Sequence, residues 1–177
     1  MLLNALGFQL CWLAWVAGAG RGLLWPGLVC TLAFAAWQLA VSPWRRADLL
    51  LVAASLAVGI AVDGLWSALG MIEYRLPGPL PAPLWILGLW AVFALTLNHS
   101  LAFLGRRPAL AALLGGTGAP VAYGAAIGAW DAGSFLWPAP LALGTVAIAW
   151  APLTAGLALL ALRLRGEGLP APPLPAR

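Results

Sequence analysis

The chain has 177 residues, 63% of them hydrophobic and 8% charged, and a mean hydropathy of +0.96. Soluble domains carry about 45–50% apolar residues, so this chain has too few polar groups to cover a water-soluble globule of its size. The net charge of +4 comes from arginines that flank apolar runs, which makes them topology signals and excludes a phosphate-binding face and nucleic acid as a partner.

Apolar runs fall at 2–20, 22–42, 49–72, 84–105, 109–130 and 138–163, each near the roughly 20 residues that cross a hydrocarbon core. They predict an all-α polytopic membrane protein, a compact bundle of six transmembrane helices over residues 1–166. The last residues hold four prolines between Gly168 and Arg177, which predicts a disordered cytoplasmic tail over 167–177.

The first run ends in Ala17-Gly18-Ala19, the small-residue pattern of a signal cleavage site. It lacks a positively charged start and carries bulky Trp12 and Trp15, so it reads as a retained span. It also holds Asn4, Gln9 and Cys11. The second run holds Gln38 and Cys30; no Cys-x-x-Cys spacing or Cys/His cluster accompanies the two cysteines, which read as packing residues.

The third run contains Asp63 on a stripe with Ser55, Gly59 and Ser67. A carboxyl group inside a span costs about 2.5–3.5 kcal/mol on insertion scales, so Asp63 should face the bundle interior. Two readings stay open, a hydrogen bond that fixes helix packing and a proton or cation site. The connection from Glu73 to Pro83 is proline-rich and reads as a stiff spacer, or an outer lid.

The fourth run ends in Thr96-Leu97-Asn98-His99-Ser100, the most polar stretch inside any run. The lone histidine reads either as a satisfied core residue or as a proton-transfer group. Counting about 1.5 Å per residue separates Asp63 and His99 by about 11 Å in depth, which excludes a direct pair. The same count places Asn4, Gln9, Gln38, Asn98, His99 and Ser100 in one half of the membrane, predicting a polar pocket that opens inward.

The fifth run carries Gly116, Pro120, Gly124 and Gly128 at intervals of four, which marks it as the centre of the bundle. Pro120 and Pro152 predict kinks in runs five and six. Of 11 tryptophans, Trp25, Trp44, Trp85, Trp130 and Trp137 fall near run ends, as interfacial anchors do.

Arginine supplies an independent count. With six spans and both termini on one side, that side collects Arg45, Arg46, Arg106, Arg107, Arg163, Arg165 and Arg177 against Arg21 and Arg75 opposite. The positive-inside rule then predicts both termini cytoplasmic. No metal-ligand spacing, glycine-rich phosphate loop or serine nucleophile elbow is present, and no cofactor is expected.

The opening Asn4-Ala5-Leu6-Gly7-Phe8-Gln9 with Trp12, Asp63 in the third run, and Thr96-Leu97-Asn98-His99-Ser100-Leu101 resemble an uncharacterised bacterial inner-membrane family, DUF2878, over nearly the whole chain. The resemblance implies a multi-span protein of the bacterial inner membrane, some members being encoded near enzymes that modify fatty-acyl chains, and implies no established activity. The leading expectation is an accessory, scaffold or lipid-binding protein, rather than an enzyme, whose partners are membrane lipids and a lipid-modifying enzyme or other membrane protein. Alternatives are a small-molecule transporter or substrate-binding subunit using Asp63, and an integral-membrane enzyme using His99.

Overall fold

The computed structural model describes residues 1–166. Six α-helices alternate in direction among them: α1 Leu2–Gly20, α2 Trp25–Val41, α3 Arg45–Ala68, α4 Leu84–Leu97, α5 Pro108–Gly128 and α6 Ala139–Leu164. Helices α1, α3, α5 and α6 are long and apolar enough to cross a membrane, while α2 and α4 have 17 and 14 residues. At about 1.5 Å per residue, α4 spans about 21 Å, less than the roughly 30 Å of a hydrocarbon core. The all-α class and a multi-pass chain are therefore shown. The expected proline-rich tail lies outside the described residues.

Contacts divide the bundle into two ends. Asn4 meets Ser100, and Arg165 lies over the ring of Trp44, at an arginine-rich end. At the other, Arg75 pairs with Asp131 and Arg21 lies over Trp130. Here two short strands, β1 Ile72–Tyr74 and β2 Gly133–Phe135, pair antiparallel with Tyr74 opposite Gly133. The sequence reading ended the third apolar run at Ile72 and took Glu73 to Pro83 as a connection. Trp85, expected as an interfacial anchor, is instead 2% exposed beneath this strand pair, and its Nε1–H donates to the Arg75 carbonyl at 2.8 Å.

The centre of the bundle is α4, not α5. Nine of the fourteen residues of α4 are buried, and it packs on α1, α2, α3 and α6. A helix apolar on every side has no face that must meet water, so it can be enclosed in this way. By contrast α5 packs chiefly on α6, where Gly115 and Gly116 admit Thr154 and Ala151, while Leu113 and Val121 point outward. Its small residues thus serve one close neighbour rather than several.

The stripe on α3 does face a helix. Ser55 Oγ donates to the Trp90 carbonyl at 2.9 Å, and a Cβ on Gly59 would stand 2.4 Å from the Trp90 ring. Only glycine admits the indole there.

The fourth apolar run, expected to continue to residue 105, stops as a helix at Leu97. The Thr96 carbonyl accepts from the amides of both His99 and Leu101, and a 3-10 turn follows at Ala102–Arg106. Side chains explain the break: Asn98, His99 and Ser100 each find a partner on another helix. Those bonds replace helical ones that a straight continuation would have kept.

Candidate functional site

Asp63 lies five residues before the end of α3 and is fully buried. Its Oδ1 accepts from the hydroxyls of Tyr74, on β1, and Tyr123, on α5, both at 2.6 Å; its Oδ2 accepts from Trp90 Nε1–H at 2.7 Å. Three donors from three other elements therefore converge on one carboxyl group, which offsets the cost of burying it. Burial first, and then the Asp63 carboxyl beside it, push the Tyr74 phenol well above its usual range, so its proton remains in place at neutral pH.

Both phenols and the Trp90 ring form part of the wall of a cleft of about 450 Å³ between α1, α4, α5 and α6. At the strand end the walls are Tyr74, Trp85, Tyr123 and Ile127. Midway, Trp150 stacks on Trp90 with ring centroids 4.3 Å apart. Leu101 and Leu104 line it toward the arginine end. The cleft exists because α5 leans on α6 and leaves α1 and α4 facing a gap. Thr154, 3% exposed, also belongs to the wall, and its Oγ1 has no hydrogen-bond partner.

The amides expected to form one inward pocket are split among three places. Asn4 Nδ2–H donates to Gln38 Oε1 at 2.7 Å and to the Leu95 carbonyl at 3.0 Å, and its Oδ1 accepts from Ser100 Oγ at 2.5 Å. Asn98 and His99 turn instead to Asp48. Gln9 is exposed on α1 and lines the cleft in the half nearer the arginine end. Asn4, Gln38 and Asn98 are at most 3% exposed, so hydrogen bonds occupy the space between them.

Asp48, in the first turn of α3, is the residue that sequence reasoning missed. It is fully buried, with Asn98 Nδ2–H donating to Oδ1 at 2.8 Å, Ser42 Oγ donating to Oδ2 at 2.5 Å, and His99 Nε2 3.1 Å from Oδ2. It stands just before the third apolar run, beside Arg45 and Arg46, where an acid has the composition of a solvated span end. Asp63 and His99 belong to separate networks, in keeping with their expected separation. Among the described residues, no three His, Cys, Asp or Glu side chains are grouped to hold a metal ion.

DUF2878, a family of proteins of unknown function, matches residues 1–156. The chain belongs to this family. No curated protein and no solved structure matches it. In this DUF2878 member the matched region covers α1 to α5, both carboxyl networks and all but the last turns of α6.

Proposed function

We propose that this protein is an inner-membrane protein of six spans, with both termini cytoplasmic, that holds one lipid-like chain in its lateral cleft as an accessory to lipid modification. The cleft is the observation that carries the reading. Ligand pockets are concave, mostly apolar and furnished with a few placed polar groups, at volumes of about 300–1,000 Å³. This one has that size and composition. From Leu114 to Ile127 it runs along α5 for about 20 Å at 1.5 Å per residue. Taking a methylene to fill about as much space as a water, roughly 30 Å³, about fifteen carbons fit. An extended chain of that many carbons is about as long as the cleft. The arginines gathered opposite the strand pair support the orientation.

The test uses the tryptophans. Trp12, Trp85, Trp90 and Trp150 line the cleft, so a brominated C16 chain should quench part of the fluorescence saturably. Gly118 is exposed on α5 with open space where its Cβ would stand, so Gly118→Phe should fill the cleft without disturbing the fold. Saturable quenching that the variant abolishes fits the proposal; identical, non-saturating quenching of both proteins removes it. Reporter fusions at the two termini test the orientation independently.

One observation favours a second reading, an enzyme using His99. The Asp48–His99 pair is the arrangement that orients a histidine for general acid/base work. Lipid composition that changes on His99→Gln while the protein stays folded would favour it; unchanged lipids would return the pair to a structural role. Transport coupled through Asp63 has less support, because all three donors around that carboxyl are already engaged with it.

A further inference from the structure

Two polar groups in the wall of the cleft differ from the rest. Tyr74, Tyr123 and Trp90 give their protons to Asp63. Trp150 Nε1 and Thr154 Oγ1, by contrast, are buried and have no hydrogen-bond partner. The Trp150 indole stacks on Trp90 and lies beside Tyr123, the latter ring centroids being 6.5 Å apart. Thr154 is 3% exposed, and its hydroxyl rests against Gly115 of α5, where a Cβ would stand 2.2 Å from Oγ1. A buried donor without an acceptor costs free energy, because it has given up water and received nothing in exchange. Two such donors in one wall point to an acceptor that arrives with a ligand.

Their spacing restricts what that acceptor can be. Trp150 and Thr154 stand four residues apart on α6, so they share a face on adjacent turns, with Cβ atoms about 5–6 Å apart. An indole N–H can only donate, a hydroxyl can donate as well, and a carbonyl oxygen has two lone pairs with which to accept from both. The two residues flank the middle of α6, which runs from the strand end to the arginine end. An oxygen held there would sit about halfway along a chain that fills the cleft, not at its head.

From this geometry we infer that the cleft selects a chain interrupted near its middle by an accepting oxygen, a ketone or ester carbonyl, over an unbroken hydrocarbon chain or one oxygenated at its end. The inference rests on the chain-binding reading above. The carbonyl would lie against Trp150 and Thr154, with one half of the chain toward Tyr74 and Ile127 and the other toward Leu104. Reaching both donors takes a turn of the Thr154 side chain between the two χ1 rotamers that threonine populates in a helix, and a shift of the indole. The empty cleft beside both residues leaves room for these movements. A methylene at the same point would leave both donors unpaired, which is what allows a site to discriminate strongly between chains of equal length.

The experiment measures displacement of the brominated C16 probe from the full chain in detergent by hexadecane, hexadecan-2-one, hexadecan-8-one and octyl octanoate, compared at equal mole fractions in the micelle. Hexadecan-8-one or octyl octanoate should compete at least tenfold better than hexadecane and hexadecan-2-one, and the better of the two identifies the carbonyl as that of a ketone or an ester. Thr154→Val keeps the side-chain shape and removes the hydroxyl. It should lower the preference severalfold and, by deleting an unpaired buried group, raise the melting temperature of the empty protein. A hydroxyl with a purely structural role would do the reverse, losing stability and leaving the preference untouched. Trp150→Phe keeps an aromatic ring without the N–H, should lower the preference likewise, and serves if the Val variant fails to fold. Equal competition by all four compounds, or a preference that survives both substitutions, overturns the carbonyl inference and leaves the chain site standing. If none of the four displaces the probe, the chain-binding reading falls and takes this inference with it.

Discussion

His99 Nε2 lies 3.1 Å from Asp48 Oδ2, so the break after α4 is tied directly to the first turn of α3. The imidazole is 12% exposed and the carboxyl not at all. With Ser42 and Asn98 on the same carboxyl, residues from three parts of the chain are held at one point. Asp48 thereby joins the end of α2 and the turn after α4 to α3.

That relationship predicts an asymmetry between the two partners. Asp48→Ala strands Ser42, Asn98 and His99 together and should cost at least about 3 kcal/mol, at about 1–3 kcal/mol for each buried group left without its partner. Since about 2–4 °C accompany each kcal/mol in a chain of this size, the apparent melting temperature in detergent should fall by about 10 °C. His99→Ala leaves Asp48 with two donors and should cost less. A double-mutant cycle would measure the coupling, and values that add simply would mean that the 3.1 Å contact contributes nothing.

Two amides on α1 should behave in opposite ways. Asn4 bonds to Gln38, Leu95 and Ser100 inside the bundle, so Asn4→Ala should cost about 1–3 kcal/mol through the groups it leaves unsatisfied. Gln9 is exposed at the cleft, and Gln9→Ala should leave thermal stability nearly unchanged. Equal losses for the two variants would contradict their placement. The sequence reading assigned both to one pocket because depth along a helix says nothing about the direction in which a side chain points.

Membership of the bundle was legible because apolar run length follows directly from bilayer thickness. Asp63 stood out for a related reason, a carboxyl in an apolar run being too costly to leave unpartnered. Its partners were not legible. Tyr74 lies in what read as a linker, and it reaches Asp63 only because β1 pairs with β2 some sixty residues away in sequence. Asp48 was hidden by its neighbours, since an acid beside two arginines has the composition of a wet helix end. The spacing of small residues along α5 indicated close packing, yet a stripe cannot show how many helices use it.

Glycine positions supply the most direct test of the packing. Gly59→Ala places a methyl group 2.4 Å from the Trp90 ring, so α3 and α4 must separate or the indole must turn. Turning the indole breaks the Trp90–Asp63 hydrogen bond, and separating the helices strains the Ser55–Trp90 bond. Overpacking of this kind costs about 1–3 kcal/mol, and the loss should appear both in thermal stability and in the tryptophan emission spectrum. Gly118→Ala is the matched control: the space beside it is open, and alanine should gain at most about 1 kcal/mol from helix propensity. A chain in which both substitutions proved neutral could not have the α3–α4 seam described above, and the wall that places Tyr123 and Trp90 on one carboxyl would lose its support.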